Sequence, residues 1–197
     1  MSDSWDDYAE GWDSNADVIE YAKNAFEALC DYTSLKGLRV LDFGCGTGLL
    51  SEKIAKVAES VVAVDSSPKM IDVLDKKKIA NVSTLSCEIS KDSENEHPIL
   101  KGGFDLIVAS SVCAFVPDFE KTLSDLRLLL KEEGAFVQWD WKRTNEGGDF
   151  GFTEDMIKNA YLNVGLSTVR VTEAFSLTSQ KSTMQVLMGI ATRKEEG

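Results

Sequence analysis

Basic residues, histidine, paired cysteines and long apolar runs are what this 197-residue chain has least of. Lys and Arg total 21 against 33 Asp and Glu, a net charge of −12. A field of that sign repels phosphate backbones and anionic bilayers, so neither nucleic acid nor a membrane is an expected partner. The densest basic run, Lys76-Lys77-Lys78, reads as a solvated helix end whose cations complement the helix dipole. No apolar run approaches the ~20 residues that span a bilayer. The N-terminal stretch has no basic region or apolar signal core, and its first twenty residues hold seven acids and no Lys or Arg. The expected location is therefore cytoplasmic. The one histidine, His97, sits in the polar stretch 91–98. Cys30, Cys45, Cys87 and Cys113 have no short paired spacing, which points to reduced thiols and away from disulfides or a metal site. No repeat or linker divides the chain, and a single domain over 1–197 is expected.

What is present is an alternation of helical and strand periods. Residues 15–32 place Val18, Ile19, Ala22, Phe26 and Leu29 on one helical stripe. Leu38–Phe43 reads as a buried strand, and Gly48 opens a helix carrying Leu50, Ile54 and Val57. Strands are expected at Val61–Val64, Asn81–Leu85 and Phe104–Ala109, with a helix opening at Pro68. The fourth strand is apolar without alternation, the mark of a strand covered on both faces in a parallel sheet. Asp118 caps the next helix, Glu133-Gly134 turns into a fifth strand at Ala135–Trp141, and Thr153 caps a last helix after a glycine-rich loop at 145–151. Runs at 168–177 and 183–192, joined by the turn-like 178–182, read as an antiparallel pair. The order is a helix, five βα units and a hairpin: an α/β fold, doubly wound and mostly parallel.

The chemistry concentrates in Val40-Leu41-Asp42-Phe43-Gly44-Cys45-Gly46-Thr47-Gly48. Glycines between a strand and a helix let the backbone turn tightly and bring main-chain N–H groups close to a ligand. A dinucleotide fingerprint would need glycine at position 49, which is Leu49. The spacing here is G-x-G-x-G with an acid two residues before it, which suits a ligand bearing an ammonium group better than a pyrophosphate. Asp65 closes the next strand, with Ser66 or Ser67 as the following helix cap.

Those residues resemble the first two motifs of class I S-adenosylmethionine-dependent methyltransferases. Ser83–Ile89 is similar to their third-strand motif, with Glu88 where Asp is usual, and Phe104–Asp118 to their fourth. Leu128–Trp141 is similar to the following helix and strand. The resemblance covers about 38–141 and implies a Rossmann-like, seven-stranded, mostly parallel sheet with an antiparallel last strand. It implies S-adenosyl-L-methionine as cofactor, S-adenosyl-L-homocysteine as product, and a small-molecule acceptor. The implied cofactor contacts are Trp12, Asp42, Gly44, Cys45, Gly46, Asp65, Ser66, Glu88, Ile89 and Ser110. The implied substrate pocket is Tyr8, Ser111, Val112, Cys113, Phe115, Trp139 and Trp141. Tyr8 and Asp140 are the candidate catalytic groups, and Ala114-Phe115 stand where some relatives carry a histidine.

Trp5–Asp13 is similar to an aromatic-Asp segment that folds over the cofactor in small-molecule members, making 1–34 a helical cap; a plain hydrophobic strap is the alternative. Cys45 and Cys113 read as small packing residues before nucleophiles, since nothing in the sequence sets a base beside them. Two other functions stay open at this point. One is a regulator or scaffold that binds the same cofactor without catalysis, and the other is a nicotinamide dehydrogenase.

Overall fold

The computed structural model describes residues 5–144, 150–178 and 183–194. They form two compact units, 1–88 and 89–197. Most of the expected glycine-rich loop (145–149) and hairpin turn (179–182) lies outside the described residues.

The first unit opens with two short 3-10 turns, Trp5–Asp7 and Trp12–Ser14, followed by α1 (Ala16–Tyr32). Asn15 starts α1 because its side-chain oxygen accepts the N–H of Asp17 at 3.0 Å. Ala22 and Leu29 of the expected stripe are buried, Val18 and Phe26 are half-buried, and Tyr21 and Ala25 join the buried face. Ile19 is 40% exposed, and α1 packs on α2 (Leu49–Ala55). Val57, expected on the buried face of that helix, lies beyond its end and is exposed.

Strands β1 (Arg39–Phe43), β2 (Ser60–Asp65) and β3 (Val82–Ser86) pair in parallel, in the order β3-β2-β1. Nearly every residue of β1 and β2 is buried, as the apolar runs require. Helix α3 (Pro68–Lys76) begins at Ser67, whose hydroxyl accepts the N–H of Met70 at 3.2 Å. Its Ile71 and Leu74 pack on Cys45 and Ala63, with Ile79 and Val82 at the margin.

The second unit contains the single-turn α4 (Ser93–Glu96), then β4 (Phe104–Ser110), α5 (Phe119–Leu128), β5 (Leu130–Trp141), α6 (Glu154–Asn163), β6 (Leu166–Thr178) and β7 (Thr183–Arg193). Its strand order is β4-β5-β7-β6, parallel for the first pair and antiparallel for the others. Asp118 and Thr153 cap α5 and α6 by accepting the N–H of Lys121 and Met156. Strand β5 starts at Leu130, five residues before its expected start at Ala135. The Glu133-Gly134 turn survives as an irregularity inside it. Glu133 has φ 59°, and the register against β4 shifts between Phe104 and Leu106. Strand β6 likewise starts early and carries Thr168 at φ 52° where its register shifts. The chain thus has the doubly wound, Rossmann-like α/β fold class, with seven mostly parallel strands and an antiparallel last strand.

One glycine is fixed by its surroundings. Gly151 has φ 82°, and a Cβ there would stand 2.4 Å from the carbonyl oxygen of Trp141, which accepts the N–H of Phe152. A clash with backbone adds to the left-handed penalty. Gly151→Ala is therefore expected to cost at least about 2 kcal/mol, read as a lower thermal midpoint.

Candidate functional site

The glycine loop is built against the end of β2. The N–H groups of Gly44 and Cys45 both donate to the carbonyl of Val64, at 2.8 and 3.0 Å. Gly44, Gly46 and Gly48 all have positive φ, at 67°, 54° and 82°. The Asp65 side chain then ties this loop to the next helix. Its Oδ2 accepts the N–H of Gly46 and its Oδ1 the N–H of Ser67, each at 2.8 Å. Burial pushes the Asp65 carboxyl above its ordinary pKa, and these two N–H groups offset only part of that rise. A carboxylate offers about four acceptor sites, so Asp65 retains lone pairs after both bonds.

Asp42, on β1, is only 1% exposed. Ser51 of α2 donates its hydroxyl to Oδ2 at 2.5 Å, and Oδ1 is buried with no hydrogen-bond partner among the described residues. Burial pushes this carboxyl up to about 7, the Ser51 bond opposes the rise, and the nearby Asp65 charge adds to it. Cys45 is buried beside these acids, which with burial hold its thiol far above the ordinary range. It packs in the core cluster, where a thiolate nucleophile would be strongly disfavoured.

The N-terminal segment is fastened to this region by two acids. Asp6 accepts the hydroxyl of Ser67 at 2.5 Å and the N–H of Lys69 at 3.3 Å. Asp13 accepts the hydroxyl of Thr47 and pairs with Lys77 at 2.7 Å. Lys77 therefore departs from the expected solvated run and is half-buried in an ion pair. Trp5, Tyr8 and Trp12 form a ring triangle with centroids 6.0 to 6.4 Å apart. The indole nitrogen of Trp12 lies 3.7 Å from where a Cβ on Gly46 would stand. Tyr8 is exposed and Trp12 half-buried. Of the remaining expected residues of this unit, Ser66 and Glu88 are exposed, and the helix cap is Ser67.

In the second unit, Ile89 is buried, and Ser110, Ser111, Val112 and Trp141 are half-buried. Ser111 has φ 54° and donates its N–H to the carbonyl of Trp139 at 2.7 Å. Phe115 is exposed, and its ring lies 5.5 Å from that of Phe150, tilted by 55°. Trp139 and Asp140 are both fully buried. Asp140 belongs to a buried polar chain. The Tyr161 hydroxyl donates to Gln138 Oε1 at 2.9 Å, and Gln138 Nε2 donates to Asp140 Oδ2 at 3.0 Å. The N–H of Ala114 points at Asp140 Oδ1 at 3.4 Å, and the Cys113 thiol also donates to this carboxylate. Burial pushes Asp140 up to about 7 against these donors. Sequence reasoning missed Ser51, Gln138 and Tyr161 as site residues, and it placed Asp6 and Asp13 in the aromatic-Asp segment without their fastening role. Of the three missed, Gln138 carried a signal, as a polar residue inside the apolar run Phe136–Trp139.

Among the described residues no group of three or more His, Cys, Asp or Glu is arranged to hold a metal. No helix of the described residues is long and apolar enough to cross a membrane.

Residues 41–138 match the family described as a methyltransferase domain. The chain is 28% identical over 162 residues to an uncharacterised methyltransferase of Schizosaccharomyces pombe, covering 68% of this chain and 55% of that protein. It is 32% identical over 134 residues to the ubiquinone biosynthesis O-methyltransferase of Xanthomonas euvesicatoria, covering 64% and 49%. The chain thus spans about half the length of these curated relatives. Among solved structures, a chain of the complex between the Haloferax volcanii Trm112 methyltransferase activator and its methyltransferase superposes with a TM-score of 0.78 at 14% identity, over 99% of this chain and all of that one. The N-methyltransferase NodS of Bradyrhizobium japonicum, in complex with S-adenosyl-l-homocysteine, gives 0.68 at 17%, over 93% and 90%. At these identities the likeness is one of fold.

The buried acid of the second unit has a measurable consequence. With its carboxyl near 7 in the folded state and near 3.8 when unfolded, Asp140 keeps a proton on folding that the unfolded chain gives up between those values. The native state then binds more protons, so this group's contribution to stability falls as pH rises from about 4 to about 7. Asp140→Asn removes that slope. The thermal midpoint of the variant, relative to the parent protein, is expected to rise between pH 5 and pH 8; a difference constant with pH would contradict this.

Proposed function

We propose that this chain, which belongs to the class I S-adenosylmethionine-dependent methyltransferase superfamily, transfers a methyl group from S-adenosylmethionine to a small-molecule acceptor. The observation that carries the reading is the arrangement at the end of β1 and β2. A positive-φ glycine loop is pinned by an acid with acceptor capacity to spare, and it lies beside a second acid with an orphaned oxygen. That donor set fits the cofactor. Asp65 has lone pairs for two ribose hydroxyls. Asp42 with Gly44, Cys45 and Gly46 suits the amino-acid end, where a cationic nitrogen would find an acid with one oxygen unpaired among the described residues.

When bound, S-adenosylmethionine supplies a methyl carbon already activated by its sulfonium. The chain's own work is then to hold, align and desolvate. Orientation alone contributes on the order of 7–11 kcal/mol to such a barrier, which makes a dedicated base optional. Trp12 and Tyr8 offer aromatic faces that attract a cation and exclude water. Ser66, Glu88, Ile89 and Ser110 are assigned to the adenosine and methionine portions on the superfamily resemblance. Tyr8, Ser111, Val112, Cys113, Phe115, Trp139 and Trp141 are assigned to the acceptor on the same ground. Asp140 is fully buried, so in this reading it acts by holding the backbone of Ala114 and the thiol of Cys113. A small acceptor is supported by the net charge of −12, which disfavours nucleic acid, and by the named activities of the relatives.

Two measurements test this. S-adenosylhomocysteine should raise the thermal midpoint and NAD should not; stabilisation by NAD alone would overturn the assignment. Asp65→Ala should weaken S-adenosylhomocysteine binding by tenfold or more in calorimetry, about 1.5–3 kcal/mol for charge-assisted hydrogen bonds. Unchanged affinity would mean the ribose site lies elsewhere.

A further inference from the structure

Lys77 lies outside the glycine loop and outside every motif of the sequence, yet it meets the N-terminal segment at its second anchor. It stands at the C-terminal end of α3, where its N–H donates to the carbonyl of Leu74 at 3.0 Å, and Leu74 is buried in the core. The backbone that carries it is therefore fixed. Its ammonium lies 2.7 Å from Asp13 Oδ2 and 3.8 Å from a carboxylate oxygen of Glu52 on α2. The Thr47 hydroxyl donates to the other oxygen of Asp13, and Thr47 is buried within the glycine loop. An exposed pair of long side chains is worth little, but the Lys77 side chain is only 20% exposed and that of Asp13 35%. Asp13 directly follows Trp12 in the same 3-10 turn. The Trp12 indole nitrogen is the atom nearest to where a Cβ on Gly46 would stand, at 3.7 Å. What holds Asp13 therefore also holds the indole against the loop.

We propose that Lys77 is a positioning residue for the ligand of the glycine loop: through Asp13 it holds the Trp12 indole beside Gly46, and so sets how fast a bound ligand leaves. The inference rests on the cofactor reading given above and assigns it a residue that touches neither loop nor ligand. Lys77 supplies the one positive charge shared by Asp13 and Glu52. Without it the two acids repel, and Asp13 keeps only the Thr47 hydroxyl. The turn that carries Trp12 is then held at one point instead of two. The pair also stands in the wall of a cavity of about 600 Å³ that opens to solvent and is lined as well by Leu49, Ala55 and Ile79. Dissolved ions reach the pair through that opening, so its hold weakens as salt rises.

The test is the dissociation rate of S-adenosylhomocysteine from the full chain, read by surface plasmon resonance. Lys77→Met should raise that rate about threefold to tenfold, within the range of coupling between charged residues in contact. Lys77→Arg, which keeps the charge, should return it to near the parent value. In an Asp13→Asn background Lys77→Met should add nothing further, because the route through Asp13 is already lost. A purely structural role for Lys77 would lower the thermal midpoint without this dependence on Asp13. The Trp12 indole N–H resonance, assigned with Trp12→Phe, should shift in Lys77→Met and return in Lys77→Arg. Raising salt from about 0.05 M to about 0.5 M should hasten dissociation from the parent more than from Lys77→Met. A parent-like rate in Lys77→Met, or an increase undiminished in the Asp13→Asn background, overturns the proposal and leaves the cofactor assignment intact. If Lys77→Met does not fold, salt decides on the parent alone: a rate indifferent to salt overturns the proposal, and a hastened one supports it. Absence of S-adenosylhomocysteine binding to the parent chain overturns both readings.

Discussion

The carboxylate of Asp65 is the constraint on which the first unit's site depends. It stands at the last position of β2 and takes one N–H from the glycine loop and one from the start of α3. Two segments separated by some twenty residues of chain are thereby fixed relative to one side chain. The loop at Gly46 cannot open, nor the cap at Ser67 shift, without stripping a half-buried carboxylate of a donor. Charge-assisted bonds of this kind are about twice as strong as neutral ones, which suits a loop whose glycines carry the highest backbone entropy. The same Ser67 that donates its N–H to Asp65 also caps α3 and gives its hydroxyl to Asp6. The N-terminal segment therefore hangs from the hub that shapes the loop.

That linkage changes the meaning of the acidic N-terminus. As composition, seven acids in twenty residues read as a field. In the structure two of them are fasteners: Asp6 holds the start of α3, and Asp13 holds Thr47 and Lys77. Between the two anchors the chain carries Trp5, Tyr8 and Trp12 as a mutually packed triangle, with the Trp12 indole close to Gly46. Aromatic faces held this way approach the loop without being part of the core. They are placed by polar bonds to the loop and helix they overlie.

The fold was legible in the sequence because its strands are long apolar runs punctuated by glycine, proline and capping residues. Ser67, Asp118 and Thr153 cap helices as their spacing with respect to the apolar runs suggests. What escaped were features decided by packing. On α1, Tyr21 and Ala25 are buried where Ile19 was expected, a shift within one turn that periodicity alone does not resolve. The early start of β5 follows from pairing that tolerates a left-handed Glu133 within a strand. At the site, the loop, Asp42 and Asp65 were visible as a motif. Asp6 and Asp13 were visible only as positions of the aromatic-Asp segment, because the Ser67 and Thr47 they hold lie far away in sequence, and Ser51 was not visible because a serine in a helix otherwise looks like an ordinary polar residue.

The two most buried acids, Asp42 and Asp140, are alike in cause and opposite in circumstance. Burial lifts both toward neutrality, to about 7. Asp140 meets donors on every side, from Ala114, Cys113 and Gln138, and Gln138 is held in turn by Tyr161. Its demands are met from within, so it binds a strand, a loop and a helix into one piece and has nothing left to offer a ligand. Asp42 draws its donors from Ser51 alone and keeps one oxygen without a partner among the described residues. Buried polar atoms are seldom left unpaired, so the orphan oxygen of Asp42 sets it apart from Asp140, whose oxygens both have donors. The difference lies in the number of donors supplied, not in burial or acidity.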